Sequence, residues 1–289
     1  MNHKILLLGE DRRQDFLFQM LKEKGCSVLD LRRPSPGFPL SQAAQCVFDA
    51  SWILTPLPFT RDQKTLNLSI PISTDLFLSW LRPGQTLFGA GIPLSFRESC
   101  AKKQVTCIDS ACLPQTAEEN AALTAEGAIC CAIKESSGAL HKSLCLTAGY
   151  GRCGQALAEK LKGLHAEVTV LDRDPEKLKL AHDRGFSCLT PDELKDPEIL
   201  SPFAYLFNTI PCPVFSKNIL SGADPEITII DIASAPGGVD FEYCRESGRT
   251  ARLCPGLPGR FSPKAAAEIL FDGLLSQPGF PVPESSLNS

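Results

Sequence analysis

Residues 144–154 read Leu-Cys-Leu-Thr-Ala-Gly-Tyr-Gly-Arg-Cys-Gly and run on into Gln-Ala-Leu-Ala-Glu-Lys-Leu-Lys-Gly-Leu. An apolar run of strand length therefore opens, through G-x-G-x-x-G, onto a helical sequence, which constrains this part of the chain to a strand–turn–helix unit. In such a turn Gly149 makes the bend, Gly151 lets the backbone approach a ligand without a Cβ in the way, and Gly154 lets helix and strand pack closely. The helix amides then point at an anion, and a dinucleotide pyrophosphate fits that description. Tyr150, Arg152 and Cys153 occupy the intervening positions and complete the predicted cofactor turn. A second apolar run, Glu167–Leu171, ends at Asp172, roughly 20 positions beyond Gly149, where a carboxylate would hold the adenosine ribose. Asp172 favours NAD by repelling the 2′-phosphate of NADP, while Arg173 beside it could pair with that phosphate, so the expectation is NAD(P) with NAD slightly preferred.

The 289 residues carry a net charge of −4, with 43% apolar and 21% charged residues, the profile of a globular chain of about two domains. No basic field invites nucleic acid, and no apolar run reaches the ~18 residues of a membrane span. The segment MNHKILLLGEDRRQ meets Glu10 and Asp11 directly after its short apolar core, so it reads as a first strand and not as a signal peptide. Thirteen cysteines are scattered without C-x-x-C or Cys/His spacing, so no metal site is expected and the thiols read as reduced, mostly core residues of a cytoplasmic protein.

Strand-like runs alternate with helical patterns along most of the chain, the signature of α/β layers with parallel sheets. The expected fold is two Rossmann-like doubly wound domains joined by a bridging helix. Residues 1–115 would form an N-terminal substrate and catalytic domain, 116–138 the bridging helix, 139–276 the dinucleotide-binding domain with a returning C-terminal helix, and 277–289 a flexible tail. Pro263 suits the first position of that last helix, with Ser262 as its N-cap. The first turn, Gly9–Gln14, lacks the later glycines and carries an acidic pair, so one nucleotide per chain is expected.

Ligands of open α/β sheets bind beyond the carboxyl ends of the strands. Two such ends are polar: Asn208-Thr209-Ile210-Pro211, which would touch the cofactor ribose, and the turn after Asp231, where Ala233 and Ser234 would lie near the nicotinamide. Both are also ordinary turn and capping sequences.

Three blocks, NTIP (208–211), ITIIDIASAPGGVDFEYC (227–244) and PGLPGRFSPKAAAEIL (255–270), resemble the family of dipicolinate synthase A subunits. GEDRRQ at 9–14 is similar to that family's G-G-D-x-R-Q turn, and Asn120, Thr124, Glu126 and Gly127 match its N-x-x-x-T-x-E-G. The likeness covers most of the chain. It departs at Ala235, where the family often has a basic residue, and at Glu10, which replaces a glycine. The resemblance implies oxidation of a dihydrodipicolinate, formed from hydroxy-tetrahydrodipicolinate, to dipicolinate for spores, with NAD(P)+ as hydride acceptor and, for a partner, the synthase's B subunit. A planar dicarboxylate wants guanidinium and ammonium groups, which points to Arg13, Arg260 and Lys264. No histidine of the four, at 3, 141, 165 and 182, stands where a dehydrogenase would need it, and Glu126, on the bridging helix beside the expected cleft, is the candidate base.

Two other readings stay open on the sequence. One is a different two-domain NAD(P) dehydrogenase of the 2-hydroxyacid or amino-acid type; the other is a nucleotide-sensing protein without turnover. Homo-oligomerisation is compatible with all three.

Overall fold

The computed structural model describes residues 4–35, 37–196 and 198–281. His3 and residues 282–289, the larger part of the expected tail, lie outside them. The chain divides into two compact units, one made of the residues up to Glu119 with those from Pro263 on, the other of Asn120–Ser262.

In the first unit β1 (Lys4–Leu8), α1 (Arg12–Glu23), β2 (Ser27–Leu31), α2 (Leu40–Asp49), β3 (Trp52–Leu54), α3 (Thr74–Trp80), β4 (Thr86–Gly89), α4 (Leu94–Lys102) and β5 (Thr106–Asp109) follow one another. The five strands form one parallel sheet in the order β2-β1-β3-β4-β5. Side chains alternate across it: Leu6, Ile53 and Leu87 join one core with Phe59, Phe77 and Phe96, and Ile5, Leu7, Trp52 and Leu54 join the other.

The helix α5 (Pro114–Glu135) carries the boundary between the units within it. The second unit continues with β6 (Leu144–Ala148), α6 (Arg152–Gly163), β7 (Glu167–Leu171), α7 (Pro175–Asp183), β8 (Ser187–Leu189), β9 (Tyr205–Asn208), α8 (Lys217–Leu220), β10 (Thr228–Asp231), α9 (Phe241–Glu246), β11 (Thr250–Leu253) and α10 (Leu257–Phe261). Its six parallel strands are ordered β11-β10-β9-β6-β7-β8, so the chain reverses direction across the sheet between β6 and β9. In a doubly wound sheet that reversal opens the crevice where ligands bind. The two faces are packed by Tyr150, Leu157, Leu161 and Val170 on one side and by Leu146, Leu206, Ile229 and Phe215 on the other.

The last helix, α11 (Pro263–Leu275), departs from expectation. It does not close the second layer but returns to the first unit and lies on α1, where Ala267, Leu270, Phe271 and Leu274 meet Leu17 and Leu21. The cause is its apolar stripe, which matches the stripe left bare on α1. The chain beyond it, to residue 281, is also docked: the Phe280 ring meets Trp52 edge-on with centroids 5.0 Å apart. Residues 277–281, expected as the start of a flexible tail, are therefore packed, and the rest of that expected tail lies outside the described residues.

Candidate functional site: a glycine-rich turn at the sheet's crossover

The turn Gly149–Gly154 stands where β6 meets α6, on the crossover side of the second sheet. Its three glycines have different physical duties. Gly149 has φ +88°, and a Cβ there would strike Thr209 Oγ1. A Cβ on Gly154 would run into the carbonyl of Gly149. Both residues are thus required by the turn itself. Gly151 instead has an ordinary φ of −78° and open space where its Cβ would be. It is also the N-cap of α6 and offers no side chain to that helix's first amides. Exposed amides at a helix start, with bare space before them, form an anion cradle. A pyrophosphate fits it. Arg152 is exposed at the first helical position and Cys153 is half-buried behind it.

Tyr150 does not present its side chain to this space. The ring is fully buried, edge-on to Phe186 at 6.2 Å, and burial raises its phenol above the ordinary range. Its part is played by the backbone: Tyr150 N–H donates to Asp172 Oδ2 at 2.7 Å. Asp172 is accordingly not the free carboxylate expected. It is buried, and its other oxygen accepts from Asp174 N–H at 3.0 Å. Asp174 caps α7 by accepting from Glu176 N–H, with Pro175 in the first turn. Arg173 is exposed between the two acids.

The NTIP segment is largely bracing. Asn208, fully buried at the end of β9, accepts from Ile210 N–H and donates to Ile210 O, both at 3.1 Å. Thr209 Oγ1 donates to Ala148 O at 2.9 Å and so clamps the start of the glycine turn. These two side chains were expected on the ribose; the bonds they make hold the turn instead. Ile210 packs into the core and Pro211 is exposed. One strand further, Asp231 is completely buried and accepts from Ala233 N–H at 2.9 Å and from Gly238 N–H at 2.7 Å. It thereby ties both ends of a loop whose apex, Ser234–Pro236, is exposed. Sequence reading passed over Asp231 as a mere strand end. An acid at the strand end, five residues before a Pro-Gly-Gly turn, is the signal the sequence offers.

The remaining candidates lie elsewhere. Glu126 pairs with Lys160 Nζ at 3.0 Å and is half-exposed. Lys160 is eight residues into α6, about 12 Å along the helix from its start, so the Glu126 carboxylate, expected as a base beside the cleft, is engaged by an ammonium well along α6 from the glycine turn. Arg13 is buried in the first unit: Nε and Nη2 grip Asp11 at 2.7 and 3.1 Å, and Nη2 also donates to Leu57 O at 3.3 Å. It was expected to reach for substrate, but Asp11, the N-cap of α1, draws the guanidinium inward. Arg260 and Lys264 are both exposed, the latter loosely paired with Glu268 at 3.9 Å.

Among the described residues no cluster could hold a metal ion and no helix is long and apolar enough to cross a membrane. All thirteen cysteines are reduced thiols, and burial pushes Cys145 up to about 12, which keeps it inert near neutrality.

The TrkA-N domain family matches residues 145–202, the stretch from β6 past β8 that contains the turn and Asp172. The A subunit of dipicolinate synthase from Bacillus subtilis is 37% identical over 151 residues. The chain is similar to the dipicolinate synthase A subunit. That sequence match takes in 52% of the chain and spans about half, 50%, of the length of the curated relative. The crystal structure of the A subunit of dipicolinate synthase from Bacillus halodurans superposes with a TM-score of 0.81 at 24% identity, over 95% of this chain and 97% of that one. The A chain from Bacillus subtilis gives 0.78 at 25% identity, over 95% of both. The two Rossmann-like parallel-sheet domains expected from the sequence are therefore shown, and so is the resemblance first read in the C-terminal blocks.

Proposed function

We propose that the chain is a cytosolic oxidoreductase that binds a nicotinamide dinucleotide in its second unit and, together with a partner subunit, oxidises a dihydrodipicolinate to dipicolinate. The observation that carries the cofactor half is the position of Gly151: a bare, unstrained residue before an uncapped helix at the crossover of a doubly wound sheet. The substrate half rests on the likeness to the dipicolinate synthase A subunit.

In this reading the backbone of Gly149–Gly154 and the first turn of α6 hold the pyrophosphate, and Asp172 lies at the adenosine ribose. NAD is preferred by a narrow margin. The loops after β9 and β10, braced by Asn208 and Asp231, border the nicotinamide end, with Ala233 and Ser234 on the second of them. The bound nicotinamide supplies the hydride acceptor. Aromatising the ring provides the driving force, so the protein's work is to orient a planar dianion and release a proton.

The test is absorbance at 340 nm after the hydroxy-tetrahydrodipicolinate precursor and NAD(P)+ are added to the pure protein, with the partner subunit and without it. A rise in either mixture supports the reading; none in both overturns it. Arg260 and Lys264 are the cations proposed for the substrate carboxylates. Replacing either by Ala is expected to raise KM roughly 5- to 30-fold, the range for one exposed charge-assisted hydrogen bond of about 1–2 kcal/mol, with nucleotide affinity unchanged. Wild-type KM in both variants would place the dianion elsewhere.

A further inference from the structure

The carboxylate of Asp172 meets a third group besides its two backbone donors. Lys177, the third residue of α7, has its Nζ 3.7 Å from Asp172 Oδ2. The two partners differ in exposure: the lysine side chain is 43% exposed and the aspartate side chain 8%. The fixed member of the pair is therefore the acid, held from within by Tyr150 and Asp174, and the movable one is the ammonium at the rim. Nothing else within α7's first turn competes for that role, since Glu176 is acidic and Asp174 is spent on its N–H.

This alters what the acid at the end of β7 can do. A bare aspartate there discriminates between the two nicotinamide dinucleotides chiefly by like-charge repulsion of a 2′-phosphate. An ammonium less than 4 Å from it cancels most of that field at the distances where the phosphate would arrive, and the ammonium can itself move to a phosphate oxygen. The two ribose hydroxyls of NAD need only the lone pairs left on the carboxylate, for which Lys177 is dispensable. One side chain then affects the two nucleotides differently.

Resting on the cofactor reading above, we infer that Lys177 is the residue that sets nucleotide choice in this chain: it neutralises Asp172 toward a 2′-phosphate and lets the site accept NADP alongside NAD. Arg173, which the sequence offers for the same task, is exposed on the adjoining turn and has a secondary part.

The experiment is a set of dissociation constants for NADH and NADPH, by nucleotide fluorescence, on the full chain and on Lys177→Gln, Lys177→Arg and Arg173→Gln. The wild-type values are expected to lie within about tenfold of each other. Lys177→Gln should weaken NADPH about tenfold, the effect of one near-surface charge on a dianion, and leave NADH within about threefold, while Lys177→Arg stays near wild type. An unchanged NADPH-to-NADH ratio in Lys177→Gln overturns the inference, as does equal weakening of both nucleotides or a shift seen only in Arg173→Gln. A wild-type protein that binds neither nucleotide overturns the cofactor reading itself, an outcome distinct from an unchanged ratio.

Discussion

Gly151→Val is expected to leave the protein folded and to abolish its affinity for nicotinamide dinucleotides. The backbone at 151 has a φ that any residue accepts, and a Cβ there meets no atom within 4 Å. The isopropyl group would project into the space before the first amides of α6, where the phosphates are proposed to sit. Loss of the cradle removes several charge-assisted hydrogen bonds of about 1.5–3 kcal/mol each, so affinity should fall at least 100-fold. Stability should stay within about 1 kcal/mol of wild type, because the restriction of the unfolded chain offsets the poorer N-cap that valine makes. Gly154→Ala is the contrasting case. Its single methyl would run into the Gly149 carbonyl, so both folding and binding should suffer. Thermal unfolding and NADH titration of the two variants check this. Wild-type nucleotide affinity in a folded Gly151→Val protein would remove the cofactor from this turn.

The contrast between those glycines shows what a sequence can and cannot carry. The turn, the strand that feeds it and the acid after β7 are legible because each depends on residues a few positions apart. Which way a side chain points from a strand end depends on the neighbouring strand, which is distant in sequence. Hence Tyr150, Asn208 and Thr209 were read as facing a ligand, although the first is drawn into the core beside Phe186 and the others are tied to Ile210 and Ala148. Arg13 was misread for a related reason: a salt bridge two residues back leaves no periodic trace. Glu126 sits on a helix rich in small apolar residues, whose outward side the pattern does not single out. Several short elements leave little trace in the pattern, α2 and β8 among them. Helix α2 starts behind Pro39 with no side-chain cap, and β8 has only three residues. The return of α11 to the first unit is a partner choice, set by the bare stripe on α1 and invisible in chain order.

Asp231→Asn is expected to be the most damaging conservative change in the second unit. The carboxylate is completely shielded from water and accepts two backbone N–H bonds, from Ala233 and Gly238, that close the loop between them. An amide of the same shape has one oxygen and one NH2. Whichever way it turns, one of those N–H groups faces another donor, and a buried N–H without an acceptor costs about 1–3 kcal/mol beyond the charge-assisted bond that is lost. The loop has little freedom to adapt. Gly237 has φ +86°, with Asp231 Oδ2 only 2.6 Å from where a Cβ would be, and a Cβ on Gly238 would strike Asn208 Nδ2 at 2.7 Å and the carbonyls of Ile210 and Cys212. The strain would therefore pass to the NTIP turn on β9. A stability loss of about 3 kcal/mol follows for the second unit, readable as a lower urea midpoint. Under conditions where the variant stays folded, the exposed apex Ser234–Pro236 should be released from its wild-type position while the phosphate cradle persists. Turnover should then fall at least tenfold while the NADH dissociation constant stays within about threefold, a split that general unfolding does not produce. An unchanged urea midpoint would show that Asp231 does not hold this loop, and loss of NADH binding in step with turnover would show that the loop does not act at the nicotinamide end alone.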